Sequence, residues 1–267
     1  MIPLRILHQR SLMASCLFTA LINMSADTQI YYLPFYFQAV KNTSAEVSGV
    51  RILPYLVAVF STALVTGSCI TAFGHYVPLM WLGAAVLTVG CGLIHTLGLV
   101  SSEGQWFGYQ VIAGIGFGMA FQIPYSVVHV VLPAEDVPMG NALIVFSQAL
   151  GGALAVSIAQ NILSNSLNRR FRSVPGIHST ELIAAGAADI SSKVPAGLVS
   201  TVREAYSFAL SCTYILPIAA GGTAFLCSLF MEWRTLEKPK KKVTSDEVGA
   251  LRERDGRIID DKDERGG

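Results

Sequence analysis

Residues 106–132 read WFGYQVIAGIGFGMAFQIPYSVVHVVL, with no Asp, Glu, Lys or Arg in the whole stretch. A helix crossing the hydrocarbon core of a bilayer needs roughly 20 predominantly apolar residues. One charge at mid-membrane costs about 2.5–3.5 kcal/mol on insertion scales, so a run this long without one reads as a membrane span. Within it Ala113-Gly-Ile-Gly-Phe-Gly118 looks superficially like a nucleotide loop. A phosphate loop needs a preceding strand and a soluble βαβ unit, and neither surrounds these glycines. Gly114 and Gly118 stand four apart in an apolar helix, the spacing at which small residues let helix backbones approach closely. Gly151 and Gly152 read the same way.

Five more stretches on either side share this character, giving six in all: 11–40, 52–73, 77–99, 137–163 and 206–231 beside 106–132. Four of the connections are short, which forces consecutive helices to run antiparallel. The fifth, 164–205, is a long loop expected outside the cell, with a short amphipathic surface helix over Glu181–Ile190.

Composition agrees. The chain of 267 residues is 52% hydrophobic and 14% charged, with mean hydropathy +0.51. Soluble domains carry about 25% charged residues. Of the 37 charged side chains, 20 fall in residues 232–267, so the body cannot be coated with charge as a soluble globule is. A soluble enzyme, a disordered regulator and a nucleic-acid binder with a basic face are excluded. The expected layout is a cytoplasmic N-terminus (1–10), a membrane domain (11–231) and a charged, disordered cytoplasmic tail (232–267). Arg5, Arg10 and the Lys238–Lys242 cluster place both ends in the cytoplasm, whereas Arg169, Arg170 and Arg172 in the long loop run against the positive-inside rule. The tail cluster would anchor to anionic lipid. Apolar residues continue through Phe37 with no small-residue cleavage site, so the N-terminus is not read as a signal peptide. The five cysteines lie singly in apolar runs without metal spacing and read as small buried residues. No metal or other cofactor is expected.

Several motifs are more specific. Tyr31-Tyr-Leu-Pro-Phe-Tyr-Phe-Gln-Ala-Val40 is an aromatic helix end followed by a polar turn. Leu53-Pro54 opens the second stretch, and Gly108-Tyr-Gln110 precedes the glycine run, which continues to Phe121-Gln-Ile-Pro124. The next connector is Leu132-Pro-Ala-Glu-Asp-Val137, leading into Gly140-Asn-Ala142, and the fifth stretch holds Phe146-Ser-Gln-Ala-Leu-Gly-Gly-Ala153 and ends at Asn161. In this order and spacing these strings resemble the fourteen-helix drug:proton antiporter branch of the major facilitator superfamily, in particular the fungal toxin and multidrug efflux pumps. The likeness runs from about Tyr31 to Asn161.

The resemblance implies an all-α membrane protein, its six transmembrane helices forming one major-facilitator-type domain of two inverted three-helix repeats. It implies the C-terminal half only, because the proton-antiport signature of the family's N-terminal domain has no counterpart here. The implied activity is proton-coupled efflux of small amphipathic organic compounds such as toxins, drugs or secondary metabolites. The implied partners are the lipid bilayer, a small-molecule substrate, protons and a second six-helix domain, supplied by another half or a homodimer. The plasma membrane is the default location, with vacuolar or other endomembranes as alternatives. The competing reading is a non-transporting truncated remnant or modulatory membrane subunit. An intramembrane enzyme is not expected, for lack of HExxH, GxSxG or paired intramembrane aspartates.

Asp27 is the one acid within a predicted span, and intramembrane acids by default mark functional sites. It is a candidate proton-accepting or cation-binding group in a substrate cavity, and so a candidate for both proton coupling and substrate binding, against the plainer reading of a polar contact near the outer interface. The first and fourth helices of such domains line the central cavity, so the resemblance makes Gln29, Tyr32, Gln110 and Gln122 candidate substrate contacts. Gln148 and Gln160 read as inter-helix glue, and His95 and His129 as interfacial caps. Glu135 and Asp136 form an acidic cytoplasmic connector, placed either to cap the fifth helix or to gate against the other domain.

Overall fold

A computed structural model describes residues 9–74, 76–172 and 198–231. The Glu181–Ile190 segment and the tail from 232 onward lie outside the described residues. Every regular element among the described residues is helical.

The first long helix, α1 (Arg10–Phe35), carries Pro34 inside it and passes into a π-helical turn, Tyr36–Val40. Past Pro34 the Tyr36 N–H still reaches the Tyr32 carbonyl, and in the next turn the bonding widens to i→i−5, with the Lys41 N–H donating to the Tyr36 carbonyl at 3.2 Å. A short α2 (Ala45–Val50) leads into α3 (Leu53–Phe73). Gly74, at φ 71°, ends α3 in the left-handed conformation, its N–H bonded to Ile70 O at 2.9 Å. Next comes α4 (Val77–His95). The fourth span is two helices, α5 (Glu103–Phe121) and α6 (Ile123–Val131), broken at Gln122 just before Pro124. A capping box of Ser102 and Gln105 starts α5. After α7 (Val137–Phe171), the last span is again two helices, α8 (Val199–Thr213) and α9 (Ile215–Ser228), broken at Tyr214 ahead of Pro217.

Among the described residues, five helical segments are long and apolar enough to cross a membrane: Ala45–Ala72, Val77–His95, Glu103–Val131, Val137–Phe171 and Val199–Ser228. The chain is therefore an integral, multi-pass membrane protein. The sixth, α1, is long enough at 26 residues but less apolar, and the reason lies in its burial. Ser15, Thr19 and Asn23 are buried and return hydrogen bonds to the carbonyls four residues back, at 2.9, 2.7 and 2.9 Å. Ser25 donates instead to the Pro217 carbonyl of α9 at 3.0 Å. Polar groups satisfied in this way face other helices rather than lipid.

Two ends differ from expectation. The fifth span does not stop at Leu163 but runs to Phe171, and the sixth begins at Val199 rather than Tyr206. The extensions pack on each other. Leu163, Leu167 and Phe171, spaced by four, are buried with Val202, Ala205 and Tyr206, and the Phe171 and Tyr206 rings meet edge-on at 6.4 Å. The loop expected at 164–205 is shortened from both sides.

The core has two main layers. One, at the end where α1 runs out, is aromatic: Tyr32, Tyr36, Phe37, Tyr55, Trp106, Tyr206 and Tyr214. The other, toward the start of α1, is built from Phe18, Ile22, Met80, Leu87, Phe117, Ile123 and Val127. Around α5 the helices approach closely. A methyl on Gly114 would stand 2.6 Å from the Tyr55 carbonyl oxygen, and one on Gly118 2.5 Å from that of Val59, both on α3. Gly116 and Ala113 meet α4 at Leu87 and Gly90, so α5 is wedged between two neighbours along a small-residue seam.

Candidate functional site

Asp27 lies in the second half of α1 and is half-buried. Its carboxyl occupies the notch left by Gly152 on α7, where any Cβ would collide with Oδ2. The preceding residue, Gly151, meets the backbone of Ala20, so two adjacent glycines let α7 ride directly on α1.

The neighbouring candidates diverge from it. Gln29, 1% exposed, turns toward α4, where its Nε2 donates to Cys91 Sγ at 3.0 Å while its Oε1 has no partner. Tyr32, fully buried, turns toward α7 and donates to Gln160 Oε1 at 3.0 Å. Gln110 on α5 is fully buried with neither amide atom partnered. Gln122, at the α5–α6 break, is half-buried and lines an open groove of about 760 Å³ with Leu64, Gly67, Ser68 and Thr71 of α3. Asp27 and Gln122 are thus the candidates with open surface. Gln29, Tyr32 and Gln110 sit between helices, and no hydrogen bond among the described residues joins any two of the five.

Gln148 accepts from Tyr125 Oη at 3.0 Å, so both it and Gln160 bridge α7 to another helix. His95 Nδ1 meets the Ser211 carbonyl of α8 at 2.8 Å. Glu135 is exposed, and Asp136 holds the N-cap position of α7 without a side-chain cap bond. The Asp136 backbone closes the turn, its N–H donating to Pro133 O at 2.9 Å and its carbonyl accepting from Gly140 N at 3.0 Å. Among the described residues no group of three or more His, Cys, Asp or Glu could hold a metal ion.

Sequence reasoning did not single out Ser68 and Thr71. The helix holds five serines and threonines (Ser61, Thr62, Thr66, Ser68, Thr71), and nothing in their spacing marks these two. Both return hydrogen bonds to carbonyls four residues back, at 3.0 and 2.9 Å, and can still accept from a ligand.

The described residues form a membrane helix bundle with polar groups on an otherwise apolar open face. No family model matches the chain. It is 41% identical over 243 residues to the MFS-type transporter ltbE of Aspergillus luteorubrus, covering 91% of this chain and 44% of that protein. It is 34% identical over 250 residues to the efflux pump roqT of Penicillium rubens, covering 93% of this chain and 46% of the pump. It is 36% identical over 232 residues to the MFS acetylaranotin efflux transporter ataA of Aspergillus terreus, covering 86% and 52%. Over about nine-tenths of its length the chain is therefore a relative of the MFS-type transporters. It spans about half the length of the curated relatives it matches.

Proposed function

We propose that this chain is the C-terminal six-helix half of a proton-coupled exporter of small amphipathic organic compounds, acting with a second six-helix domain, most simply in the plasma membrane. The observation that carries this reading is Asp27, an intramembrane carboxyl with open surface held against Gly152 where α1 meets α7. An acid at that depth is costly unless it faces a polar cavity or exchanges a proton. The groove at Gln122 adds polar groups to an apolar wall, the mix that suits an amphipathic ligand. The names of the relatives support the direction, since roqT is called an efflux pump and ataA an efflux transporter. Alternating access needs a site between two domains, and this bundle supplies one wall of it.

The test is efflux of rhodamine 6G from yeast lacking its own drug pumps, under an imposed pH gradient. The chain is expressed alone and joined behind the N-terminal half of a relative. The expectation is gradient-dependent efflux from the joined protein that Asp27→Asn abolishes while membrane abundance is unchanged. Absence of efflux from well-expressed joined protein, or full activity of Asp27→Asn, overturns the proposal and favours a non-transporting membrane subunit.

A further inference from the structure

Three cations converge where α1 runs out. Lys41 Nζ donates to the carbonyls of Leu99 at 2.9 Å and Ser101 at 2.7 Å. Arg203 reaches over from α8 and gives Nε and Nη2 to the Val40 carbonyl, at 2.9 and 2.5 Å, one residue before Lys41. Arg51 lies against the rings of Phe37 and Trp106, 5.6 and 5.4 Å from their centroids, and pairs at 3.5 Å with Glu103, two residues beyond Ser101. Residues 40–41, 51, 99–103 and 203 thus form one patch assembled from three connections and the start of α8.

The charge in this patch is poorly balanced. Carbonyl oxygens orient Lys41 and Arg203 but bring no negative charge. The carboxylate paired here is Glu103, whose side chain is 84% exposed, so solvent screens most of its effect. Glu46 and Glu204 stand at the same end and are exposed. Burial, and then the nearby Arg203 and Arg51, lower the proton affinity of Lys41. Donors also remain. An ammonium has three N–H groups and a guanidinium five, and Lys41 and Arg203 each spend two. Guanidinium forks match phosphate oxygens geometrically. Phe37 and Trp106, against which Arg51 lies, are buried in the bundle and form the floor of the patch.

We propose that Lys41, Arg51 and Arg203 form a binding site for a phosphate group, the chemistry shared by a phospholipid headgroup and free phosphate. The position of this basic patch at the end of a membrane-spanning bundle favours the headgroup. This site stands apart from Asp27 and does not depend on the transport reading.

The test uses the full chain purified in detergent, with thermal unfolding followed while phosphatidate, diacylglycerol of the same acyl chains, or inorganic phosphate is titrated in. A ligand that binds the folded state raises the midpoint in a saturable way. Phosphatidate is expected to do so and diacylglycerol not. If inorganic phosphate reproduces the shift, the site serves free phosphate; if it does not, the site needs the anchored headgroup, and either result upholds a phosphate site. Lys41→Gln and Arg203→Gln are expected to weaken the apparent affinity about tenfold each, the effect of losing one charge-assisted contact. Arg169→Gln and Arg172→Gln, at the same end but outside the patch, should leave it unchanged. If Arg203→Gln fails to fold, Lys41→Arg, which keeps the charge, provides the comparison and should retain the shift. No midpoint shift with phosphatidate, or an undiminished one in Lys41→Gln, overturns the proposal.

Discussion

The carboxyl of Asp27 fills the space that a side chain at Gly152 would take, so the acid of α1 and the glycine of α7 form one steric unit. A larger residue at 152 must displace the carboxyl or push the helices apart. Gly152→Ala is therefore expected to reduce proton-coupled efflux by the joined protein about as severely as Asp27→Asn. Gly222→Ala, at a position with open space around it, should leave efflux unchanged. Efflux normalised to membrane abundance is the readout, and a fully active Gly152→Ala would show that the notch has no role.

The seam between α3 and α5 depends on Gly114 and Gly118. Enlarging either drives a side chain into a backbone carbonyl of α3. Overpacking of this kind costs about 1–3 kcal/mol, so Gly114→Val should lower the thermal midpoint clearly in detergent. Gly108→Ala, where nothing lies within 4 Å, is the matched control and should not.

Gln110 leads to a prediction of the opposite sign. Both its amide atoms are buried without partners, and an unpaired buried polar group costs about 1–3 kcal/mol. Gln110→Met preserves the length and removes the polar atoms, so the thermal midpoint should rise. A fall instead would show that the amide is satisfied in the folded protein in the membrane.

Lys41 sets an alkaline pH dependence. Its proton affinity is lowered in the folded protein by burial first, then by Arg203 and Arg51. The unfolded chain therefore holds the proton more tightly, so stability rises with pH as the solution passes up through the folded-state pKa toward the ordinary lysine value. Lys41→Met should flatten that part of a pH-stability curve measured without added lipid. Bound phosphatidate should flatten it too, by supplying the missing negative charge.

Membrane insertion was legible from the absence of charge over long runs, because bilayer energetics act on each residue whatever its neighbours. The breaks at Gln122 and Tyr214 follow from Pro124 and Pro217, a local rule of the backbone. The ends of α7 and α8 were not legible, because Leu167, Phe171 and Val202 extend those helices by packing on one another. The candidate site was legible as a set of residue types but not as directions. Asp27 and Gln29 are two residues apart, yet they point to α7 and α4 respectively, since two helical steps turn through roughly 200°.

By itself the sequence determined that this chain lies in a membrane as a bundle of long helices, since hydrophobic length and proline position are properties of each segment alone. Only the tertiary structure decided which polar side chains become glue and which keep an open face. It also decided that Lys41, Arg51 and Arg203, far apart in the chain, share one patch. Those outcomes depend on which helix stands beside which, and that is set by packing between segments distant in sequence.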